Sequence, residues 1–355
     1  MKFTAEPTKA LGFKPKFTYP IFGDSEQIFG YKDAQVHLAF DCASMKPLLT
    51  WKYGEKLSGD VKDVGKVISK FLPEGDFVYN DEERWLKEIE EENFELPEDK
   101  IVKRFNDTCR LYKFNLSKDE IGLKLLKRSQ ILTLFFIEAG SYIEVEGDDR
   151  WEIYVLYEEV DGKNEFIGFT TVYKYWKYMI DGSTDFYRSR ISQMLVLPPF
   201  QGKGYGRRMY ESIVEEWRKD EKCVEITVED PSEEFDELRD KCDVEKFIND
   251  GLYRNSFENE EDISELRKIT KLTDRQIRRV IEMVQLWKLN DKEDIKPLRL
   301  RIKRRIYLQN REGLEDMETS ECRSKLEETY LRVLDGYKEL VDGLQIRKRR
   351  AVDEV

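Results

Sequence analysis

The sequence predicts an α/β fold: a mixed sheet flanked by helices, preceded by an α+β region and followed by a helical one. Three observations carry this. Between Thr108 and Glu229, short alternating runs are interleaved with stretches of helical spacing. The N-terminal part mixes short strands with turns, and the C-terminal part is helical in rhythm and densely charged. The corresponding divisions are 1–105, 106–235 and 236–355.

In chain order, Val36–Phe40 and Pro47–Trp51 read as strands, Val61–Leu72 as a helical stretch, and Asp81–Glu92 as an acidic helix ending towards Leu96-Pro97. Thr108–Leu116 is a strand. Ser117 is placed to cap a long helix from Glu120 to Glu138, whose apolar stripe is Leu123, Leu126, Ile131, Leu134 and Phe135, closed by Ala139-Gly140. Three strands follow, Trp151–Glu159, Phe166–Trp176 and Arg190–Leu197, the first two joined by a hairpin turn at Asp161-Gly162-Lys163-Asn164. A helix over Arg207–Lys219 lines up Met209, Tyr210, Ile213, Val214 and Trp217. In Cys223–Glu229, Val224, Ile226 and Val228 share one face, and Glu225, Thr227 and Glu229 the other. Leu272–Leu289 is the clearest amphipathic unit of the tail.

Composition narrows the chemistry. A net charge of −12 argues against wrapping nucleic acid or lying on anionic lipid, and suits a basic partner. The single histidine, His37, sits in the alternating run Val36–Phe40, so a strand position is expected and histidine-based triads or metal sites are not. Five cysteines (Cys42, Cys109, Cys223, Cys242, Cys322) are scattered without a C-x-x-C pair, which points to a reducing compartment and neither disulfides nor zinc. No apolar run approaches the roughly 20 residues of a membrane span, and Met1–Pro7 does not read as a signal peptide, so an intracellular soluble protein is expected. The basic clusters Arg301–Arg305 and Arg347–Arg350 read first as solvated helix faces, with nuclear import or DNA contact as alternatives.

The informative stretch is Gln193–Gly206. An apolar strand ends, Pro198-Pro199 forbid its continuation, and Gly202, Gly204 and Gly206 precede an amphipathic helix. Glycine lets backbone amides approach an anion, and the helix adds its positive end, an arrangement suited to a pyrophosphate. The spacing G-x-G-x-G departs from both the P-loop and the dinucleotide fingerprint.

Gln201-x-x-Gly204-x-Gly206 matches the acetyl-CoA signature of the GNAT acetyltransferase superfamily, which implies a GNAT-type mixed sheet. Ser192–Gly206 followed by Glu225–Ser232 more narrowly resembles the type B histone acetyltransferase catalytic subunits, supported by Phe22–Glu26, Phe29-Gly30-Tyr31, Phe136-Ile137-Glu138 and Asp148–Trp151. The resemblance runs from about Phe22 to Phe235. It implies that Met194, Leu195 and Val196 receive the pantetheine arm of acetyl-CoA, that Gln201, Gly202, Lys203, Gly204, Tyr205, Gly206 and Arg207 hold the pyrophosphate, and that Ser232 and Phe235 also contact the cofactor. Lys203 stands where the family commonly has a glutamine or similar residue.

Acetyl transfer to an amine needs a bound thioester, a deprotonated nucleophile and donors for the carbonyl oxygen. Glu229, ending its strand, is the first choice of general base, as the resemblance also implies. Asp230 is either catalytic support or a cap within Asp-Pro-Ser-Glu, and Glu138 either an active-site carboxylate or an ordinary helix-end residue. Ping-pong transfer through Cys223 is disfavoured, because no neighbouring base lowers its pKa. Trp151, Tyr173 and Tyr175, with Lys174 between them, are candidates to hold a lysine stem; Asp24, Ser25 and Glu26, with Asp148 and Asp149, are candidates to meet a basic tail. The resemblance implies that the tail belongs to newly made histone H4 (with H3–H4), that a WD-repeat histone-binding protein is a partner, and that the protein occupies nucleus and cytoplasm. The alternatives are an acetyltransferase for another protein or a polyamine, and a non-catalytic histone-binding subunit.

Overall fold

The computed structural model describes residues 11–57, 61–178, 185–254, 260–289 and 294–344. The chain forms two compact units, Met1–Ile213 and Val214–Val355. The divisions drawn from the sequence fell at 105/106 and 235/236; the first lies in the turn between two strands that pair with each other.

The first unit begins with a short helix α1 (Tyr19–Phe22) and a two-stranded ribbon of β1 (Tyr31–Lys32) and β4 (Glu55–Lys56). A three-stranded sheet follows: β2 (Gln35–Phe40) antiparallel to β3 (Pro47–Lys52), which runs parallel to β5 (Val78–Tyr79). His37 is an exposed residue of β2. Helix α2 (Val64–Ser69) is capped by the Asp63 carboxylate accepting from the Lys66 N–H, and α3 (Glu82–Glu92) by Asp81 accepting from Arg84. Trp85 of α3 is buried against Leu48 and Val78 while its indole N–H donates to the Lys46 carbonyl at 3.0 Å. Such burial satisfies both the apolar and the polar part of the ring.

The main sheet of this unit is an antiparallel meander in the order β10-β9-β8-β7-β6. Its strands are β6 (Ile101–Arg104), β7 (Cys109–Asn115), β8 (Trp151–Val160), β9 (Lys163–Trp176) and β10 (Tyr187–Val196). The β8–β9 turn is the two-residue Asp161-Gly162, both left-handed (φ 52° and 74°), as a tight hairpin that follows the sheet twist requires. Between β7 and β8 lie α4 (Glu120–Ser129) and α5 (Ile131–Phe136).

Here the structure corrects two expectations. The single long helix is two, because the fully buried Ser129 hydroxyl bonds back to the Leu125 carbonyl (2.7 Å) and Thr133 N–H reaches only three residues back, to Gln130. Ser117 does not cap it. Ser117 Oγ donates to Asn115 Oδ1 within the preceding turn, and Asp119 takes the cap position.

Arg128 of α4, 1% exposed, ties the unit together. Its guanidinium donates to Asp76 at 2.7 Å, to Glu92 at 2.8 Å and to the Ser44 carbonyl at 2.9 Å. Burial alone raises the pKa of both carboxyls, but the hydrogen bonds from Arg128 outweigh it, and each is held below the usual range.

Helix α6 (Tyr205–Lys219) runs through the boundary between the units. In the second unit, β11 (Cys223–Val228) buries Cys223 and Ile226 rather than alternating as expected; the Ile226 N–H donates to the Lys271 carbonyl (2.7 Å), covering one edge of the strand. Then come α7 (Glu233–Asn249), α8 (Glu260–Thr270), α9 (Asp274–Lys288), α10 (Lys296–Gln309), α11 (Arg311–Glu315) and α12 (Thr319–Asp342). Their core joins Val244, Ile277, Val280, Met283, Ile302 and Leu334. Arg305 is buried there against Glu282 and Tyr337, and Lys303 pairs with Glu327, so the Arg301–Arg305 cluster is partly internal to the bundle. Arg347–Arg350 lie outside the described residues. Among the described residues no helix is long and apolar enough to cross a membrane.

Candidate active site

The geometry begins with β10. Its pairing with β9 slips between Ile191 and Gln193, so Ser192 is an extra residue and the strand bulges. Beyond the bulge, Met194 and Val196 are half-exposed and Leu195 is buried. Gly168 lies opposite Val196 because the strands come too close there for a side chain: a Cβ would stand 2.3 Å from the Leu195 carbonyl oxygen.

Gln193 fixes the bulge. Its amide donates to the Ser141 carbonyl (2.7 Å) and accepts from the Thr171 hydroxyl (3.2 Å). The sequence pattern alone assigns this glutamine no role. The available signal was a polar residue at a buried alternation of an apolar strand, which has to find internal partners.

After β10, Pro198–Phe200 make a 3₁₀ turn and Gly202 and Gly204 adopt left-handed backbones (φ 73° and 82°). Nothing lies within 4 Å of where a Cβ would stand on either glycine. The Arg208 N–H closes the first turn of α6 onto the Gly204 carbonyl (3.1 Å), so the N–H groups of the next residues lack partners within the helix and point from its positive end. The exposed Gln201 braces the loop, its side-chain amide donating to the Val196 carbonyl (2.8 Å). The Tyr205 side chain also turns inward. It is 8% exposed and donates to Glu158, and burial, followed by that bond, raises its pKa. Lys203 lies over the Phe200 ring, and Arg207 pairs with Glu211 at 2.9 Å. Glycine conformations, an uncrowded cradle, a 15-residue helix start and two cations fit a pyrophosphate.

One face of the main sheet gathers the aromatic candidates. Trp151 and Tyr173 stand opposite each other in register with rings 4.7 Å apart, and Tyr175 follows at 4.6 Å. Tyr173 donates to the Asp148 carboxylate (3.0 Å), which Arg150 grips with two bonds of 2.8 Å. Those Arg150 hydrogen bonds hold the Asp148 carboxyl at about 2. Lys174 is on the other face, paired with Glu152 at 2.8 Å, and is not part of this cluster.

Glu138 is exposed just past α5, and the backbone around it is pinned: Ala139, left-handed at φ 55°, donates its N–H to the Tyr19 hydroxyl (2.7 Å). Asp24 and Ser25 form an exposed turn. Glu26 folds back so that its carboxylate accepts from the Thr18 hydroxyl and N–H, each at 2.7 Å, which lowers its pKa. The first unit thus brings Glu138, the Thr18–Glu26 loop and the bulged strand into one neighbourhood.

In the second unit Glu229 is half-buried at the end of β11, and Asp230 is exposed with a left-handed backbone (φ 33°). The capping alternative for Asp230 is corrected: Ser232 caps α7, its hydroxyl accepting from the Phe235 N–H at 3.3 Å. A non-glycine residue held at positive φ is uncommon and marks a tight, over-determined turn.

Comparison with known proteins agrees with this geometry. A family model described as "Histone acetyl transferase HAT1 N-terminus" matches residues 2–138, and one described as "Acetyltransferase (GNAT) family" matches residues 128–235. The protein is therefore an acetyltransferase with the GNAT fold. Proteins named "Histone acetyltransferase type B catalytic subunit" from Kluyveromyces lactis and Debaryomyces hansenii are each 41% identical to it, over 97% and 96% of this chain and 90% and 87% of theirs. The namesake from Schizosaccharomyces pombe is 34% identical over 95% of this chain and 88% of its own. The chain belongs to the family of type B histone acetyltransferase catalytic subunits.

Proposed function

We propose that this enzyme transfers acetyl from acetyl-CoA to lysine ε-amines in the N-terminal tail of newly synthesised histone H4. The observation that carries the cofactor half of this reading is the open glycine cradle at the start of α6. Acetyl-CoA supplies an activated acyl group as its thioester. The N–H groups around Gly202–Gly206 receive the pyrophosphate, with Lys203 and Arg207 adding charge, and the bulged stretch Met194–Val196 offers backbone groups to the amide-bearing arm.

Lysine carries a proton at neutral pH, its pKa being about 10.4, so the site has to remove one before attack. Glu229 takes that proton, directly or through water. Glu138 and Asp230 add negative charge that favours a cationic side chain. Trp151, Tyr173 and Tyr175 hold its aliphatic stem. Direct attack in a ternary complex is favoured over an acyl-cysteine, because the Cys223 thiol is buried (1% exposed) and directed at the Glu225 carbonyl. A WD-repeat histone-binding protein is the expected partner, and nucleus and cytoplasm the expected locations.

The test offers labelled acetyl-CoA with an H4 tail peptide, a scrambled peptide of the same composition and spermine. Transfer to the H4 peptide alone supports the substrate. Glu229→Gln is expected to lower kcat about 10²–10⁴-fold and to remove the acidic limb of the pH–rate profile. Transfer to spermine but not to the peptide overturns the histone assignment. Peptide binding without turnover, even with the WD-repeat protein present, favours a non-catalytic subunit.

A further inference from the structure

A cavity of about 190 Å³ opens in the second unit beside Thr227, Val228 and Pro231. Three arginines line it, Arg239, Arg275 and Arg279, against one carboxylate, Asp236. Most acids behind this wall are already bonded: Asp240 takes Arg279 and the Gln276 amide, and Asp243 takes the same amide at 2.9 Å. Of the three cations, Arg275 is left over and Arg239 is held only by a long ion pair. Arg239 is 7% exposed, yet its Nε has no hydrogen-bond partner and stands 3.8 Å from Asp243. Arg275, exposed in the first turn of α9, forms no ion pair among the described residues. Burial raises the pKa of Asp236 above its ordinary value, against the pull of the three arginines.

The strand edge adds a donor. Ile226 sends its N–H outward to Lys271, and Val228, two residues on, directs its own to the same edge, where the cavity lies. A buried guanidinium with an unmet donor is costly unless something fills the gap.

We infer that this cavity binds an oxyanion, a phosphate or carboxylate group, held by Arg239 and Arg275 with the Val228 N–H. Planar guanidinium groups converging on one space suit such an anion because each can donate two parallel bonds. Val228 and Pro231 bracket Glu229 and Asp230, so an anion seated here braces that turn.

The test titrates inorganic phosphate into the full chain by calorimetry, with sodium chloride at matched ionic strength as the blank. Binding is expected to weaken about tenfold in Arg275→Ala, whose exposed side chain can be removed without unfolding, and in Arg239→Gln, and to persist in Gly204→Ala. A phosphoserine peptide that binds tighter than phosphate places the anion on a protein partner; equal affinity makes it a free ion. Absence of any binding, binding unchanged in Arg275→Ala, or loss confined to Gly204→Ala overturns the inference.

Discussion

Replacing Gly204 by alanine separates strain from ligand binding. Gly204 sits at φ 82° with no atom within 4 Å of a new Cβ. The substitution therefore meets no clash, and its cost is that of holding an alanine left-handed, about 1 kcal/mol. In a unit the size of Met1–Ile213 this lowers Tm by about 2–4 °C. Gly162, in the β8–β9 turn, has φ 74° and equally empty surroundings, so Gly162→Ala should lose about the same. The two variants part on acetyl-CoA. If the loop amides converge on a pyrophosphate, a methyl group at Gly204 stands in that space and costs about 2 kcal/mol of charge-assisted bonding, a rise in Kd of about 30-fold. Thermal denaturation and calorimetric titration with acetyl-CoA read both quantities. Equal melting losses with acetyl-CoA bound as tightly by Gly204→Ala as by Gly162→Ala would refute the cradle.

Three further outcomes follow from the packing. Gly168→Ala drives a Cβ to 2.3 Å from the Leu195 carbonyl oxygen, so the β9–β10 pair has to part; a loss of about 3 kcal/mol or more in denaturant unfolding is expected, several times that of Gly204→Ala. Arg128→Met leaves Asp76 and Glu92 without their buried partner and should cost about 3–5 kcal/mol, mostly recovered when both acids are also neutralised. The Asp148 carboxyl is depressed, so its contribution is complete above its ordinary value of about 3.9 and is lost as pH falls through about 2. A carboxyl-carbon NMR titration should show this low inflection, and Arg150→Ala should return it towards the ordinary value.

Much of the fold was legible because its signals are local. The glycines, the two prolines and the apolar strand before them act through φ restrictions and periodicity within a few residues, and the cradle, the Asp161-Gly162 turn and the amphipathic helix over Asp274–Lys288 appear where these placed them. Local reading failed where a serine hydroxyl chose its own bond. Ser129 divides a helix whose apolar stripe is unbroken, and Ser232 rather than Asp230 caps α7. It also could not see which way a side chain in a recognised motif turns. Gln201 and Tyr205 lie inside the cofactor signature, yet one braces the loop and the other packs beneath it.

The sequence by itself determined the strand, proline and glycine loop that opens α6, because these rest on short-range backbone chemistry, and its resemblance to the type B histone acetyltransferase catalytic subunits carried the reaction class. Tertiary structure decided which candidates share a face: Trp151, Tyr173 and Tyr175 on one side of the sheet and Lys174 on the other, with Gln193 as the pin beneath the bulge. Register and bulges are set by pairings between distant segments, and no window of the chain contains both partners.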